Sequence, residues 1–303
     1  MSLIDIAKSG SIEEWDAEIS AGADPNELDS YGTNALSWML KMESAELFRH
    51  AIQRGADPSS PYRTPGNVIF DVINQNKESF LQILVETVSV WKNSNHLLTR
   101  DKNGNTIFHL AVLESAEPLW EVLENSLSEE IVFLRNEEGR SIFLEATIED
   151  RMEITTNLLS KFPNCIQQMD HEGKTALHLV VERNLHELCS YLLEEGNVSL
   201  ETKDNLGNTA LFLSASADAV ECMTDLLHAG ANPFVWGENE ESITRLLDRE
   251  KFGHSFKTWK DFVIQKAILG AGYLRREEMI EFLRKEKPFK PEELTKAKLV
   301  DLI

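Results

Sequence analysis

The stretch from Asp170 to Val180 reads DHEGKTALHLV, and altered copies of it recur along the chain. A glycine supplies a backbone turn that a residue with a Cβ would strain, and Thr or Ser two residues later can cap a helix with its hydroxyl. Spacings of 34, 38, 35, 34 and 34 residues predict a repeated unit with a mean period of 35. The six segments align on Gly32, Gly66, Gly104, Gly139, Gly173 and Gly207.

Two short apolar-periodic stretches lie between successive glycines, for example residues 175–182 and 185–193. Each unit is therefore predicted to be a helix, a tight turn, a second helix and a hairpin-like loop. A Gly-Ala-Asp-Pro or Gly-Ala-Asn-Pro loop follows the second stretch at Gly22, Gly55 and Gly230. Because a unit of this size cannot bury its own apolar face, neighbouring units must stack.

This pattern resembles the ankyrin repeat family, whose consensus is close to Asp-x-x-Gly-x-Thr-Pro-Leu-His-x-Ala with a period near 33 residues. The best matches begin at Asp101, Asp170 and Asp204. The resemblance implies an all-α, ankyrin-type helical repeat solenoid with hairpin-like loops. This chain departs from the consensus because Ala or Ile replaces the proline, and because the Gly-Ala-Asp loop is absent after the units at Gly104 and Gly139.

Charge suggests a boundary near the C-terminus. Residues 1–240 contain 16 Lys and Arg against 40 Asp and Glu, whereas residues 241–303 contain 14 against 11. We expect residues 1–270 to form the array, with a cap over residues 3–26 and a degenerate last unit over 242–248 and 259–269. Residues 271–303 are predicted to be a helical tail that caps the last repeat or recruits a second partner.

Composition excludes several classes of partner and compartment. A net charge of −21 would repel nucleic acid and anionic membrane. Three cysteines are too few for a disulfide scaffold and suit a reducing compartment. The first residues do not resemble a secretion signal, and the apolar run 267–274 is short of the roughly 20 residues of a membrane span. We expect a soluble cytoplasmic protein, with a nuclear location left open.

The sequence offers little for catalysis. It contains no P-loop, no Gly-x-Gly-x-x-Gly and no Cys-x-x-Cys, so we expect no enzyme activity, cofactor, metal or small-molecule substrate. Cys189 and Cys222 are expected to be buried, and Cys165 is the best candidate for a reactive thiol. The resemblance implies that His109 and His178, at the family's helix-start position, hydrogen-bond neighbouring loops.

The resemblance also implies a binding surface made of the concave groove and the hairpin tips. Apolar residues at positions expected to be exposed are either binding anchors or packed against neighbours, and the sequence favours neither alternative. The candidate partner-binding residues are Tyr31, Lys102, Asn103, Leu113, Glu137, Glu138, Ile148, His171, Glu172, Glu182, Asn205, Leu206 and Trp236.

Two functional hypotheses follow. The first is a non-catalytic protein–protein interaction module, a scaffold, adaptor or regulatory subunit, whose protein partner carries a basic surface or segment. The alternative is a substrate-presenting or regulatory region of a larger enzyme or effector whose catalytic part lies outside this chain.

Overall fold

The computed structural model describes residues 2–62, 66–92, 98–195, 198–235, 237, 243, 257–259 and 262. The chain divides into two compact units, Met1–Glu145 (unit 1) and Ala146–Ile303 (unit 2). The predicted all-α fold is confirmed. The α-helices are α1 Leu3–Ser9, α2 Ile12–Ser20, α3 Ala35–Lys41, α4 Ala45–Gln53, α5 Val68–Asn74, α6 Glu78–Glu86, α7 Val88–Trp91, α8 Ile107–Leu113, α9 Glu117–Leu123, α10 Glu129–Val132, α11 Ile142–Ile148, α12 Met152–Lys161, α13 Ala176–Glu182, α14 His186–Glu194, α15 Ala210–Ser216 and α16 Val220–Ala229, with 3₁₀ helices at Glu124–Ser126 and Pro163–Gln167.

The helices form pairs, each with a first and a second member. In unit 1 the first helices α1, α3, α5 and α8 pack against one another in that order, and the second helices α2, α4, α6 and α9 do the same. In unit 2, α13 packs on α15, and α14 packs on α16. This stacking buries the apolar stripe that one pair could not cover, for example through the edge-to-face contact of Phe48 with Phe80.

Each first helix begins where a short polar side chain accepts a hydrogen bond from the first turn. Thr106, Thr175 and Thr209 take this N-cap position as predicted, and the Ser141 hydroxyl accepts from the Leu144 N–H at 3.4 Å. In the two units that lack Thr or Ser there, Asn34 and Asn67 cap the helix instead. The cap positions also fix the register of the repeats.

Alignment of the second unit on Gly66 is wrong by one residue. The Gly66 carbonyl accepts from the Tyr62 N–H, as the Thr33 carbonyl accepts from Asp29 in the unit before, so Gly66 occupies the position after the turn glycine. The cap spacings are therefore 33, 39, 35, 34 and 34 residues. Positive-φ residues in the interhelix turns repeat with these same spacings, at Glu43, Asn76, Ser115, Asp150, Asn184 and Asp218.

The two ends of the array are described to different extents. The predicted N-terminal helix pair is present as α1 and α2, although α2 ends at Ser20 because Gly22 turns the chain with a φ of 95°. Of the predicted degenerate last unit, the structure describes only a few positions, among them Trp259, whose indole N–H donates to the Pro233 carbonyl at 2.8 Å. The tail 271–303 lies outside the described residues. No helix within the described part of the chain is long and apolar enough to cross a bilayer.

Candidate interaction surface

The hairpin tips are held by one side chain each. An Asp or Asn two residues before the tip accepts two backbone N–H groups across the turn, at distances of 2.8–3.1 Å. These bonds fix the backbone that presents the tip side chains, which lowers the ordering cost of binding. The five acceptors are Asp29, Asp101, Asn136, Asp170 and Asp204.

Neighbouring tips are joined inside each unit. In unit 1 the Glu137 N–H donates to the Asn103 carbonyl at 2.8 Å. In unit 2 the Asn205 N–H donates to the Glu172 carbonyl and its side-chain amide donates to the His171 carbonyl, both at 2.9 Å. The side-chain amide of Asn205 therefore links two neighbouring hairpins of unit 2, a role that the sequence does not indicate.

The two helix-start histidines donate hydrogen bonds to the backbone of these hairpins. In His109, Nδ1 accepts from the Thr106 N–H at 3.3 Å, so Nε2 carries the proton and donates to the Arg140 carbonyl at 3.2 Å. His178 makes the equivalent bond to the Asn208 carbonyl at 3.2 Å. Burial lowers the pKa of His109 to about 4 and also lowers that of His178. Both imidazoles therefore have the loop-bonding role that the family resemblance implies.

Apolar side chains are exposed on two of the tips. Tyr31 is 80% exposed and Leu206 is 58% exposed, so the alternative in which they pack against neighbours is excluded among the described residues. Leu28 and Met169, each directly before a hairpin-holding Asp, are also exposed, and the sequence reasoning missed them. An apolar residue directly before that Asp is the signal that identifies them.

The other three apolar candidates have different outcomes. Ile148 is 3% exposed and is not an anchor, because α11 is apolar on nearly all sides and all of its residues are buried. Leu113 is only half-buried at the end of α8. Trp236 lies outside the described residues.

The tip carboxylates are mostly paired with cations of the chain itself. Lys174 bridges Glu172 and Glu182, with N–O distances of 2.8 Å to each. Burial lowers the pKa of Lys174, but the hydrogen bonds that its ammonium donates to the two carboxylates outweigh this effect and hold the pKa above its usual value. Glu138 pairs with Arg140, whereas Glu137 is exposed and has no ion pair among the described residues. Cations of the chain itself therefore partly compensate the charge of Glu138 and Glu172.

The negative charge of unit 1 lies on its second helices. Those four helices carry nine Asp and Glu against one Arg, whereas the four first helices carry two Asp against two Lys. Arg49 pairs with Glu86, and Asp16 pairs with His50 and Arg54. Six exposed carboxylates have no ion pair within the described residues and are called the acidic row: Glu13, Glu14, Glu46, Glu78, Glu117 and Glu121.

Unit 2 shows a weaker version of the same division. Its second helices α12, α14 and α16 carry five acidic residues against Lys161, and its first helices α13 and α15 carry Glu182 alone. Most of the helix charge that could attract a cationic partner therefore belongs to unit 1.

The three thiols are buried. Cys165, the best candidate for a reactive thiol, does not have the character of one, because it is fully buried and burial raises its pKa to about 12. Cys189 and Cys222 are fully buried, as predicted from their equivalent repeat positions. Within the described ranges, no group of three or more His, Cys, Asp or Glu side chains could hold a metal ion.

Comparison with known proteins gives a family match for residues 142–235, to a model described as ankyrin repeats in three copies. The nuclear factor NF-kappa-B p105 subunit of Gallus gallus is 28% identical over 144 residues, which is 47% of this chain and 14% of that protein. The Mus musculus p105 subunit is 30% identical over 155 residues, 50% of this chain and 16% of that protein. This chain thus corresponds to a small part of these relatives.

A solved structure resembles a larger part of the chain. The crystal structure of the ankyrin repeat domain of Bcl-3, described as a unique member of the IkappaB protein family, covers 85% of this chain. The match spans 97% of that domain with a TM-score of 0.50 and 15% sequence identity. At this identity the likeness concerns the fold.

Proposed function

We propose that this chain, which belongs to the ankyrin repeat family, is a non-catalytic interaction module that holds a protein partner with a basic surface or segment. Ankyrin repeats are protein–protein interaction modules. A scaffold, adaptor or regulatory subunit is the role that suits an array of this kind, since the chemistry of such a protein is supplied by what it binds.

One observation carries the proposal: the division of charge between the two helix rows of unit 1. A mixed surface suffices for solubility, but the second helices of unit 1 hold nine carboxylates against one arginine. The second helices α4, α6 and α9 pack side by side, so Glu46, Glu78 and Glu117 belong to one continuous helix layer. A layer of this sign speeds the encounter with a cationic segment and selects against acidic partners.

Each unit, taken by itself, also has an exposed apolar side chain at a hairpin tip. Tyr31 in unit 1 and Leu206 in unit 2 are exposed on turns whose backbone is already fixed by Asp29 and Asp204. Aromatic side chains on a preorganised backbone are typical binding anchors, because little conformational freedom is lost on contact. The remaining candidates at the tips would contribute polar contacts around these anchors.

The same negative charge is the reason to exclude nucleic acid and anionic membranes as partners. Phosphates of nucleic acid and of anionic membranes would be repelled by the acidic row, beside which the described helices of unit 1 place no basic row. We place the protein in the cytoplasm or nucleus, where buried free thiols such as Cys165 and Cys189 stay reduced.

Affinity capture from cell lysate tests the proposal. The full chain serves as bait, and bound proteins are eluted with increasing salt and identified by mass spectrometry. We expect at least one basic protein that is retained at low salt and released at high salt, because screening weakens exposed charge pairs. Retention of acidic or salt-insensitive partners alone would contradict the basic-partner part of the proposal.

A further inference from the structure

Two lysines converge on one tryptophan in unit 1. The Nζ of Lys8 lies 4.3 Å from the centroid of the Trp38 ring, and the Nζ of Lys41 lies 4.8 Å from it. Both distances are within the roughly 6 Å at which a cation is attracted by an aromatic face. The packing of α1 on α3 brings Lys8 to this ring from 30 positions earlier in the sequence.

Neither lysine has a carboxylate within ion-pair distance among the residues that the structure describes. This differs from Lys77 nearby, which pairs with Glu43 at 2.6 Å. Asp29, which contacts the ring, already accepts the Tyr31 and Thr33 N–H groups on one oxygen and the Trp38 indole N–H, at 3.2 Å, on the other. Two ammonium groups therefore share one ring with incomplete charge compensation.

A cavity of about 320 Å³ adjoins this arrangement. This volume lies at the lower end of the roughly 300–1,000 Å³ that is usual for ligand sites. Its walls combine the Trp38 ring and Tyr62 with polar groups that can donate hydrogen bonds, namely Lys41, Gln75 and Lys77. A small charged side chain attached to a peptide fits a pocket of this size and composition.

The pocket also contains one acid, which bears on the charge of the ligand. Asp71 lines the cavity, and burial raises its pKa, so its carboxyl resists ionisation more than an exposed one. A singly charged carboxylate tolerates this neighbour better than a phosphate, which carries about −1.5 to −2 at neutral pH.

We propose that the pocket beside Trp38 binds an Asp or Glu side chain on a peptide segment of a protein partner. Lys41 in the pocket wall is its direct charge partner, and Lys8, which lies over the same ring but outside the lining, is a second positive charge nearby. The first helices of unit 1 permit this, because their net charge is zero while the second helices are strongly negative. This site does not rest on the proposed function, since a basic segment on the acidic row and a carboxylate at Trp38 are recognised by different helix rows.

The test follows the indole N–H resonance of Trp38 in the ¹⁵N-labelled full chain, assigned by its loss in Trp38→Phe. The probes are end-blocked tetraglutamate, end-blocked tetraglutamine and inorganic phosphate. We expect tetraglutamate to shift the resonance to saturation and tetraglutamine to leave it unmoved. No shift with tetraglutamate overturns the site, and an equal or larger shift with inorganic phosphate overturns its assignment to a carboxylate.

Charge variants then test which residues hold the probe. Lys8→Gln with Lys41→Gln should weaken tetraglutamate binding at least about tenfold, the change expected for losing two charge contacts. Lys203→Gln removes the same kind of charge from an exposed site in unit 2 and should leave the affinity unchanged. Asp71→Asn should tighten binding, because it removes a negative charge from the cavity wall. Unchanged affinity in the double lysine variant, with a native circular dichroism spectrum, overturns the proposal.

Discussion

The backbone nitrogen of Glu137 lies 2.8 Å from the carbonyl oxygen of Asn103, so one hairpin of unit 1 is bonded directly to the next. A Cβ placed on Gly104, the residue after Asn103, would lie 2.8 Å from that same nitrogen. The glycine is thus required both by its φ of 74° and by the close approach of the neighbouring hairpin.

Gly104→Ala is therefore expected to destabilise the fold more than the same change at Gly32. Both sites have a positive φ, which costs an alanine about 1–2 kcal/mol, but no atom lies within 4 Å of a Cβ at Gly32. The clash at Gly104 adds roughly 1–3 kcal/mol, the usual cost of overpacking. Urea denaturation of the two variants measures the difference. Equal losses would show that the hairpin contact leaves room for a methyl group.

His109 should make stability depend on pH. Its pKa is about 4 in the folded chain and near the ordinary 6.5 when unfolded, so the unfolded chain binds the extra proton first as the pH falls. The stabilisation is fully present above about pH 6.5 and is lost towards pH 4, by up to about 1.4 kcal/mol for each pH unit. Denaturation at several pH values should show a shallower dependence in His109→Gln, in which His178 still contributes.

The pKa of His109 can also be measured directly in the native chain, without a variant. The ring resonances of His109 in the native chain should keep their neutral shifts down to about pH 5, because the folded pKa lies below that value. The exposed His171 serves as an internal reference for an accessible ring. Titration of His109 near pH 6.5 in the folded protein would disprove the buried, neutral imidazole.

Replacement of Lys174 is expected to lower the free energy of unfolding more than replacement of either carboxylate that it bridges. Its replacement by Met leaves Glu172 and Glu182 without their shared cation, and we expect a loss of about 1 kcal/mol because the side chain is largely enclosed. Glu172→Gln removes the charge of a side chain that is 70% exposed and leaves Glu182 paired with Lys174, so it should cost less. Thermal unfolding of the two variants ranks them. A larger loss in Glu172→Gln would contradict the bridge.

The repeat could be predicted from sequence because its signals are local. A turn glycine, a capping hydroxyl and an apolar helix face lie within ten residues at Gly173, Thr175 and Leu177, so the spacing alone defines the unit. The second unit is displaced by one residue because the alignment follows the glycines, and Gly66 stands directly before the capping Asn67 instead of two residues before it.

The candidate surface was harder to predict because it depends on contacts between distant residues. Exposure of Tyr31 follows from its position at a tip, but burial of Ile148 depends on what packs around α11. Likewise, the pairing of Lys8 with Trp38 joins residues 30 positions apart. The residue counts alone show that the array is negatively charged. That the carboxylates are concentrated on α2, α6 and α9 becomes visible only when each acidic residue is assigned to a helix.

Charge reversal on the acidic row tests the central claim most directly. The variant Glu78→Lys, Glu117→Lys, Glu121→Lys changes three unpaired carboxylates on the adjacent helices α6 and α9. The variant Glu137→Lys, Glu138→Lys, Glu172→Lys makes the same change of net charge at the hairpin tips. Both are compared with the native chain for affinity towards a basic protein captured from lysate. We predict that the first variant loses most of the binding and the second retains more of it. Unchanged affinity in the first variant would contradict the account.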